Sequence, residues 1–438
     1  MCGIIITRRP EQVDKLKHRG LQCNYIDRHG FRIAHHWLPI QTAIESDKPQ
    51  PFMYSDGSIV LYNGEIFNYP SYYENDAEYI RDLFQNCSIR EITEIANSWD
   101  GFWSIVFITP RGTTYCFTDP LGKKQLYYNT HGEICSEIRP LITPKSKPDP
   151  LFKSSVAKWG YNRDDRTPWY DIRRIIPNRV YVFTAGKILS VWPYEYFDWY
   201  DRPETNDLNE ALYVSVKRRL ISKKEKIALL VSGGLDSSII AYLVSDVGHP
   251  VSYYTTDNLE DRKYVDILAD RLGFEPIVIP YNMDSSDFPE SLLWNETPID
   301  LGSVVPEHKL LSGVSEKIVL TGDGADELFG GYRRIDQYDS QFSDVFEELP
   351  YYHLPRLDRA SMRYTIEMRN PFLGHDVVKL ALALPLEKRT HKAILKEAFP
   401  EIPREILDRP KLPLKNDLIR KDPMEYRLKA IETFYKLF

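Results

Sequence analysis

The sequence predicts a chain of two parts, an α+β part followed by an α/β part, and three observations carry that prediction. The chain has 438 residues, which is long for a single domain. Up to about Tyr196, short strand patterns alternate with turn residues, as in a layered α+β domain. Beyond Asp207, strand patterns alternate with helical ones, which is typical of a parallel sheet, and from Tyr352 onward the pattern is mainly helical.

Six strands and one helix are predicted in the first part, with turn clusters such as Asp56-Gly57 between them. The predicted strands are Gly3 to Thr7, Phe31 to Trp37, Ser58 to Tyr62, Trp103 to Thr109, Thr114 to Thr118 and Gln125 to Asn129, and the helix is Asp76 to Gln85. The charged, loop-like passage from Tyr200 to Asp207 marks the boundary. We therefore expect domains over residues 2–196 and 207–438.

The second part opens on a strand that runs into a glycine turn and then a helix. The predicted strands are Ile227 to Val231, Pro250 to Thr255, Glu275 to Pro280 and Lys317 to Thr321. The first is followed by Ser232-Gly233-Gly234-Leu235-Asp236-Ser237-Ser238, whose hydroxyls and free helical N–H groups can donate to an anion. A Gly-Gly pair alone would be consistent with an ordinary turn. The lysine of the Walker loop is missing, which excludes a kinase or GTPase site at this position.

Composition limits the classes of partner. The net charge is −7, with only short basic clusters, so we expect no nucleic-acid partner. No apolar run approaches the roughly 18 residues of a membrane span, and the N-terminus lacks a secretion pattern. The sequence therefore predicts a cytoplasmic protein with no membrane association.

The cysteine count of five is odd and the spacing shows no short pair, which argues against disulfides and a zinc ribbon. Cys23, Cys87, Cys116 and Cys135 are expected to be buried thiols.

Cys2 is a candidate nucleophile. Removal of Met1 would place the thiol beside its own α-amine, whose pKa of roughly 7.7–8.0 suits a base near neutral pH. A cysteine at position two is, however, often incidental. Its interpretation depends on the motifs that follow.

The string Asn63-Gly64-Glu65-Ile66-Phe67-Asn68 is similar to the Asn-Gly-Glu-Ile-Tyr-Asn signature of class II glutamine amidotransferases. That resemblance implies an N-terminal nucleophile-type α-β-β-α sandwich with Cys2 as the nucleophile. Asn63 and Gly64 would form the oxyanion hole, Asn63, Gly64 and Glu65 would contact glutamine, and Asp76 would hold its α-ammonium. His18-Arg19-Gly20 resembles the family's His-Arg-Gly string.

Trp37 departs from the amidotransferase pattern. It stands where that family has the arginine that pairs with the α-carboxylate of glutamine. An indole offers no bidentate, charged contact to a carboxylate. Arg19 or Arg32 could take its place, and a relict domain that no longer hydrolyses glutamine is the alternative.

The glycine turn resembles the phosphate loop of the ATP pyrophosphatase superfamily, and Thr321-Gly322-Asp323-Gly324-Ala325-Asp326-Glu327 resembles a second motif of asparagine synthetases that hydrolyse glutamine. The resemblance implies a parallel-sheet ATP-pyrophosphatase domain, like the adenine nucleotide α-hydrolases, that uses ATP and Mg²⁺ and has a helical C-terminal part. The expected ATP-binding residues are Leu230, Ser232, Gly233, Gly234, Asp236, Ser237, Ser238, Thr255, Thr321 and Gly322. Asp236 and Asp326 would bind the metal, since Mg²⁺ takes one or two carboxylates and completes its shell with phosphate and water.

Two further residues follow from the same resemblance. Glu367, in Glu367-Met368-Arg369-Asn370-Pro371-Phe372-Leu373, matches an acid/base carboxylate near the acyl-adenylate. A helical Glu367–Arg369 pair is the structural alternative, but residues two apart share no helical face. Lys411 matches a basic position that stabilises phosphate charge.

The implied reaction joins glutamine hydrolysis to ATP-dependent synthesis of asparagine from aspartate through β-aspartyl-AMP, with a tunnel for ammonia. The family suggests a homodimer. Three alternatives stay open. The first is a β-lactam synthetase or lasso-peptide cyclase that acts on another carboxylate, and Tyr364 could supply the Tyr–Glu dyad of the β-lactam enzymes. The others are an ammonia-dependent synthetase and a non-catalytic regulator.

Overall fold

The fold class predicted from the sequence is confirmed in a computed structural model, which describes residues 2–40, 49–193, 203, 205–222, 225–280, 282, 284, 286–332, 342–410 and 423–438. The first half contains two six-stranded sheets and the second half a five-stranded sheet. Half of the expected connector from Tyr200 to Asp207 lies outside the described residues. Within the described ranges, no helix is long and apolar enough to cross a membrane.

Both sheets of the first half are antiparallel. In chain order the strands are β1 (Gly3–Thr7), β2 (Gln22–Arg28), β3 (Phe31–Trp37), β4 (Phe52–Met53), β5 (Ile59–Ile66), β6 (Gly101–Ile108), β7 (Thr114–Thr118), β8 (Tyr127–Asn129), β9 (Ile134–Cys135), β10 (Ile172–Arg174), β11 (Arg179–Thr184) and β12 (Lys187–Pro193). One sheet has the order β10-β8-β9-β1-β3-β2 and the other the order β12-β11-β7-β6-β5-β4. Strand β1 lies between β9 and β3 in the first sheet, and β5 lies between β6 and β4 in the second.

Alternating apolar residues make the sandwich. Ile4 and Ile6 of β1 pack between the sheets with Ile59 and Leu61 of β5. Ile5 points to the opposite face, because successive side chains of a strand alternate. Each sheet thus has two apolar faces, and the outer ones need cover.

Helices cover the outer faces. Helices α1 (Asp76–Asn86) and α2 (Ile89–Ala96) pack on the second sheet, and a 3-10 helix (Pro10–Arg19) packs on the first. The side chain of Asn75 accepts a hydrogen bond from the Glu78 N–H and so caps α1. The layers are therefore α-β-β-α, and helix α3 (Pro150–Trp159) follows them in the chain.

The second half surrounds a parallel sheet of order β15-β14-β13-β16-β17. Its strands are β13 (Ile227–Leu230), β14 (Val251–Thr256), β15 (Ile277–Ile279), β16 (Ile318–Leu320) and β17 (Glu367–Arg369). Its α-helices are α4 (Leu208–Arg219), α5 (Leu235–Val247), α6 (Leu259–Leu272), α7 (Asp287–Asn295), α8 (Leu301–Ser312), α9 (Ala325–Phe329), α10 (Phe342–Glu348), α11 (His353–Arg363), α12 (His375–Ala383), α13 (Leu386–Arg389), α14 (Ala393–Ala398), α15 (Arg404–Leu407) and α16 (Pro423–Lys436). Because all five strands run the same way, their carboxyl ends meet at one edge.

The described stretch beyond Tyr352 is mainly helical as expected, and it also contains the short strand β17. The expectation of four buried thiols is wrong in part, since Cys23 is exposed and Cys87 half-buried, whereas Cys116 and Cys135 are buried as expected. Cys23 faces outward because it belongs to β2, where alternate residues are exposed.

Buried charges join the two halves. The carboxylate of Asp358 in α11 accepts hydrogen bonds from Arg19 Nη2 at 2.9 Å and from Lys124 Nζ at 2.5 Å. Burial by itself would raise the pKa of Asp358, but the two cations hold it below its usual range. Arg19 also donates to Glu137 at 2.9 Å. All four side chains are almost fully removed from water.

We predict that Asp358→Asn lowers the free energy of unfolding by about 3–5 kcal/mol, because it removes the negative charge that two buried cations share. Urea unfolding followed by circular dichroism measures the change. Asp27→Asn is the control, since Asp27 pairs with Arg32 at the surface and its removal should leave the unfolding midpoint unchanged. Equal midpoints for Asp358→Asn and Asp27→Asn would contradict the prediction.

Candidate active sites

Cys2 lies at the start of β1 beside Asn63 of β5. Its backbone nitrogen, which becomes the α-amine if Met1 is removed, donates to Asn63 Oδ1 at 3.0 Å. Asn63 Nδ2 is buried and has no hydrogen-bond partner among the described residues. Burial raises the pKa of the Cys2 thiol, and the nearby N-terminal charge offsets part of that rise. The protonated thiol and backbone nitrogen of Cys2 therefore lie together with the unused amide donor of Asn63.

Gly64 follows Asn63 where β5 and β6 approach closely. A Cβ atom built on Gly64 would lie 2.2 Å from the carbonyl oxygen of Phe102, which no side chain can tolerate. The glycine is therefore required by the close approach of the two strands, and it presents bare backbone next to Asn63.

Asp76 begins α1 below the same strand. Its Oδ2 accepts hydrogen bonds from the Tyr62 hydroxyl at 2.5 Å and from the Ile66 N–H at 3.1 Å. Burial raises the pKa of Asp76 to about 6, and the charge of Glu367 adds to the rise. Glu65 Oε2 lies 3.8 Å from Arg369 Nη2 of the second half. The structure thus brings Cys2, Asn63, Gly64, Glu65 and Asp76 around one end of β5.

Trp37 replaces the arginine of the amidotransferase pattern, and neither Arg19 nor Arg32 is available to bind the α-carboxylate of glutamine in its place. Arg19 donates to the carbonyl of Cys2 at 3.0 Å and uses its remaining nitrogens for the interface carboxylates. Arg32 makes a two-point contact with Asp27 at the surface. Trp37 therefore stands without a nearby substitute from either residue.

The phosphate-loop sequence forms a turn between β13 and α5. Gly233 has a φ of +66°, and a Cβ there would lie 2.5 Å from the Cβ of Tyr264. The hydroxyls of Ser237 and Ser238 donate to the carbonyl of Gly234, at 3.2 and 2.8 Å. Ser232 Oγ lies 3.3 Å from Ser237 Oγ and accepts from the Gly234 N–H. The serine hydroxyls are thereby gathered at the N-terminus of α5.

The neighbouring strand ends complete this edge of the sheet. Leu230 pairs with Tyr254, so that Thr255 lies one residue further along the adjacent strand. Thr255 Oγ1 is buried and lacks a hydrogen-bond partner among the described residues. On the other side, Gly322 approaches α5 so closely that a Cβ on it would lie 2.9 Å from the Cβ of Asp236. Thr321 donates its hydroxyl to Asp323 at 2.6 Å.

Asp236 and Asp326 converge on one cation. Lys392 Nζ lies 2.7 and 2.6 Å from the two oxygens of Asp236 and 2.5 Å from Asp326 Oδ1. In the described ranges, no three His, Cys, Asp or Glu side chains form a metal cluster. Two carboxylates around one cation position nevertheless suit Mg²⁺, which fills its shell with phosphate and water.

The sequence analysis missed Lys392 and Arg409. Arg409 Nη1 donates to the carbonyl of Ser232 at 2.8 Å, and its guanidinium lies 4.3 Å from the Tyr264 ring. No motif points to either residue, because only the fold brings Lys392, just before α14, and the segment after α15 to the loop. Lys411, the predicted phosphate contact, lies outside the described residues.

Glu367 is not at the carboxyl edge. It begins β17, where it pairs with Ile318 at the start of β16, and it accepts a hydrogen bond from Arg369 Nε at 2.7 Å. Glu367 and Arg369 can pair because residues two apart lie on the same face of a strand, whereas the sequence analysis weighed only a helical pair. The carboxylate of Glu367 is close enough to raise the pKa of both Cys2 and Asp76. Glu367 therefore lies near the first site, at the amino end of the parallel sheet, and Tyr364 packs against His308.

A buried lysine, also missed, lies next to Glu367. Lys123 Nζ donates to the carbonyl of Met368 at 2.6 Å and lies 3.9 Å from the Phe102 ring. Burial and the neighbouring Lys124 depress its pKa. The Asp119-Pro-Leu-Gly turn that presents it could have been found from sequence, since Asp119 accepts from the backbone N–H groups of Lys123 and Lys124.

Comparisons with known proteins match both halves. A family model described as "Asparagine synthase" matches residues 207–350 and 336–431, and one described as "Glutamine amidotransferase domain" matches residues 1–196. "Asparagine synthetase [glutamine-hydrolyzing]" of Homo sapiens is 25% identical over 419 residues, which cover 80% of this chain and 71% of the relative. "Putative asparagine synthetase [glutamine-hydrolyzing] 1" of Methanocaldococcus jannaschii is 26% identical over 380 residues, covering 77% and 67%.

We predict that Gly233→Ala is markedly worse than Gly248→Ala, although the two glycines bound the same helix with φ values of +66° and +71°. The left-handed backbone costs a non-glycine residue about 1–2 kcal/mol at either position. Nothing lies within 4 Å of a Cβ at Gly248, whereas Gly233→Ala also meets Tyr264, which adds about 1–3 kcal/mol. Thermal unfolding of both variants measures the difference, and equal losses would refute it.

Proposed function

This chain belongs to the asparagine synthase family, and from that premise we propose that it is a ligase that makes asparagine from aspartate, glutamine and ATP. The observation that carries the proposal is the pairing of the two sites in one chain: Cys2 beside Asn63 in the sandwich, and Asp236 beside Asp326 at the edge of the parallel sheet. We also propose that it works in the cytoplasm as a homodimer, on family resemblance alone.

In the first reaction Cys2 attacks the side-chain amide of glutamine. The α-amine of Cys2 takes the thiol proton and passes it to the departing ammonia, which leaves a thioester that water hydrolyses to glutamate. Asn63 Nδ2 and the backbone N–H of Gly64 donate hydrogen bonds to the oxyanion. The role of Asn63 is supported by its Nδ2, which is buried and has no hydrogen-bond partner among the described residues. Asp76 holds the α-ammonium of glutamine, with Glu65 nearby.

In the second reaction the β-carboxylate of aspartate attacks the α-phosphorus of ATP and releases pyrophosphate, giving β-aspartyl-AMP. Ammonia then attacks the activated carbonyl and displaces AMP. Ser232, Gly233, Gly234, Ser237 and Ser238 bind the β- and γ-phosphates through hydroxyl and N–H donors. Leu230, Thr255, Thr321 and Gly322 hold the adenosine. Lys411 adds positive charge near the phosphates.

Asp236 and Asp326 would hold Mg²⁺. The bound ion would supply charge neutralisation for the departing pyrophosphate. The support for this pair as ligands is their convergence on a single ammonium in the structure.

Glu367 is proposed to handle the proton of incoming ammonia. The proposal is supported by two observations: the charge of Glu367 acts on Cys2, and its strand adjoins β16, which leads into Thr321. Arg369 lowers the pKa of Glu367, against the effect of burial, so that the carboxylate is ionised and able to accept a proton.

The test is to incubate the protein with ATP, Mg²⁺, glutamine and a panel of carboxylates while measuring pyrophosphate. We expect aspartate to stimulate release and Asp236→Asn to abolish it. Cys2→Ala should lose glutamine-dependent synthesis to background but keep synthesis with ammonium chloride. Cys23→Ala, which removes an exposed thiol, is the control and should behave as wild type.

The outcomes separate the rivals. Stimulation by a carboxylate other than aspartate would replace the acceptor and favour a β-lactam synthetase or a lasso-peptide cyclase. A regulator predicts no pyrophosphate with any carboxylate and no effect of Asp236→Asn.

Trp37 favours a second candidate, an ammonia-dependent synthetase with a weakened glutaminase half. Neither Arg19 nor Arg32 is free to bind the α-carboxylate of glutamine. On this view ammonium salts, rather than glutamine, are the better nitrogen donor.

We predict that Trp37→Arg lowers the KM for glutamine about tenfold or more, because a hydrogen bond to a charged group contributes about 1.5–3 kcal/mol. Glutamate release at varied glutamine concentration measures it. Trp37→Leu is the matched control, since it removes the indole without adding charge. If both variants bind glutamine equally well, the missing guanidinium is not the cause.

A further inference from the structure

We propose that Lys392 holds the metal position with its own ammonium in the nucleotide-free enzyme, so that a divalent cation enters only together with the nucleotide. The inference rests on the proposed function, because it takes Asp236 and Asp326 as the metal ligands. It adds a positioning role for a residue outside the two motifs that supply those carboxylates.

The ammonium of Lys392 occupies the position between the two carboxylates that a metal cation would occupy. Three carboxylate oxygens from two helices lie within 2.7 Å of Lys392 Nζ: both oxygens of Asp236 in the first turn of α5, and Oδ1 of Asp326 in α9. The lysine side chain is 9% exposed and the carboxylates 14% and 13%. Two carboxylates held this close repel each other unless a cation lies between them.

The backbone aims the lysine at this point. His391 and Lys392 both have left-handed φ values, +57° and +58°, which residues other than glycine rarely adopt. The His391 N–H donates to the carbonyl of Gly330 at 3.2 Å, which ties the turn to the end of α9. A Cβ on Gly331 would lie 2.6 Å from the Cε of Lys392, so the absence of a side chain there gives the lysine its path.

Competition follows from charge and geometry. A free divalent ion must displace the ammonium and receives only two protein carboxylates in return. A nucleotide changes the balance, because its phosphates give the ion further oxygen ligands and give the released ammonium a new anionic partner. The metal therefore arrives as part of the metal–nucleotide complex rather than ahead of it.

The experiment measures Mn²⁺ binding to the nucleotide-free full chain, with free Mn²⁺ counted by electron paramagnetic resonance. We expect Lys392→Met and Lys392→Gln to bind Mn²⁺ at least tenfold more tightly than wild type. Lys396→Met is the control, because Lys396 lies exposed on the next helix, α14, and should match wild type. Gel filtration and circular dichroism establish that each variant is folded.

A second readout uses thermal unfolding. Mg²⁺ should raise the melting temperature of Lys392→Gln by several degrees, since it neutralises the carboxylates that the lysine has left, and should not raise that of the wild type. Wild type binding Mn²⁺ as tightly as both Lys392 variants, with no difference in melting, overturns the proposal.

Asp326→Asn in the Lys392→Met background separates this inference from the proposed function. If tight Mn²⁺ binding survives Asp326→Asn, the ion lies elsewhere, and both the metal assignment and the lysine's role fail. If Lys392→Met gains nothing while Asp326→Asn alone abolishes pyrophosphate release, the lysine's role fails and the metal assignment stands.

Discussion

Asp358 accepts hydrogen bonds from Arg19 and Lys124 inside an interface from which water is excluded. Buried ions are tolerated only when paired, so the carboxylate of one half and the cations of the other cannot be moved apart without a large loss of stability. Arg19 also binds the carbonyl of Cys2. The same arginine that docks the halves therefore also restrains the backbone of Cys2, the proposed nucleophile.

Strand β17 transmits this constraint to the second half. It is the edge strand beside β16, and its outer side meets the sandwich, where Lys123 donates to the carbonyl of Met368. Arg369, fully buried, links Glu367 to the carbonyls of Arg219 and Ile221. An edge strand would normally expose unpaired backbone groups; here the other domain covers it. Strand β17, which carries Glu367, is thus held by contacts from both halves.

The sequence predicted what local patterns encode. Strands β1, β3 and β7 have the expected bounds because their alternating or continuous apolar residues are strong signals, and the glycines at 64, 233 and 322 lie where backbones approach closely. It could not predict β17, a strand of three residues stabilised by its neighbours rather than by its own composition. Nor could it find Lys392, which contacts Asp236 of the phosphate loop from 156 residues away along the chain.

In the proposed function each site uses buried carboxylates to bind a cation, and in both sites the protein itself supplies donors to those carboxylates. The Tyr62 hydroxyl and the Ile66 N–H bind Asp76, and the Lys392 ammonium binds Asp236 together with Asp326. Donors within the protein lower the free-energy cost of burying a carboxylate, because its charge is then paired. Under the proposed function they would also set the affinity of each site, because an α-ammonium or a metal would have to interact with the carboxylate more favourably than the group already there. Selectivity at each site is therefore a difference between two sets of interactions, and the protein's own donors determine one of them.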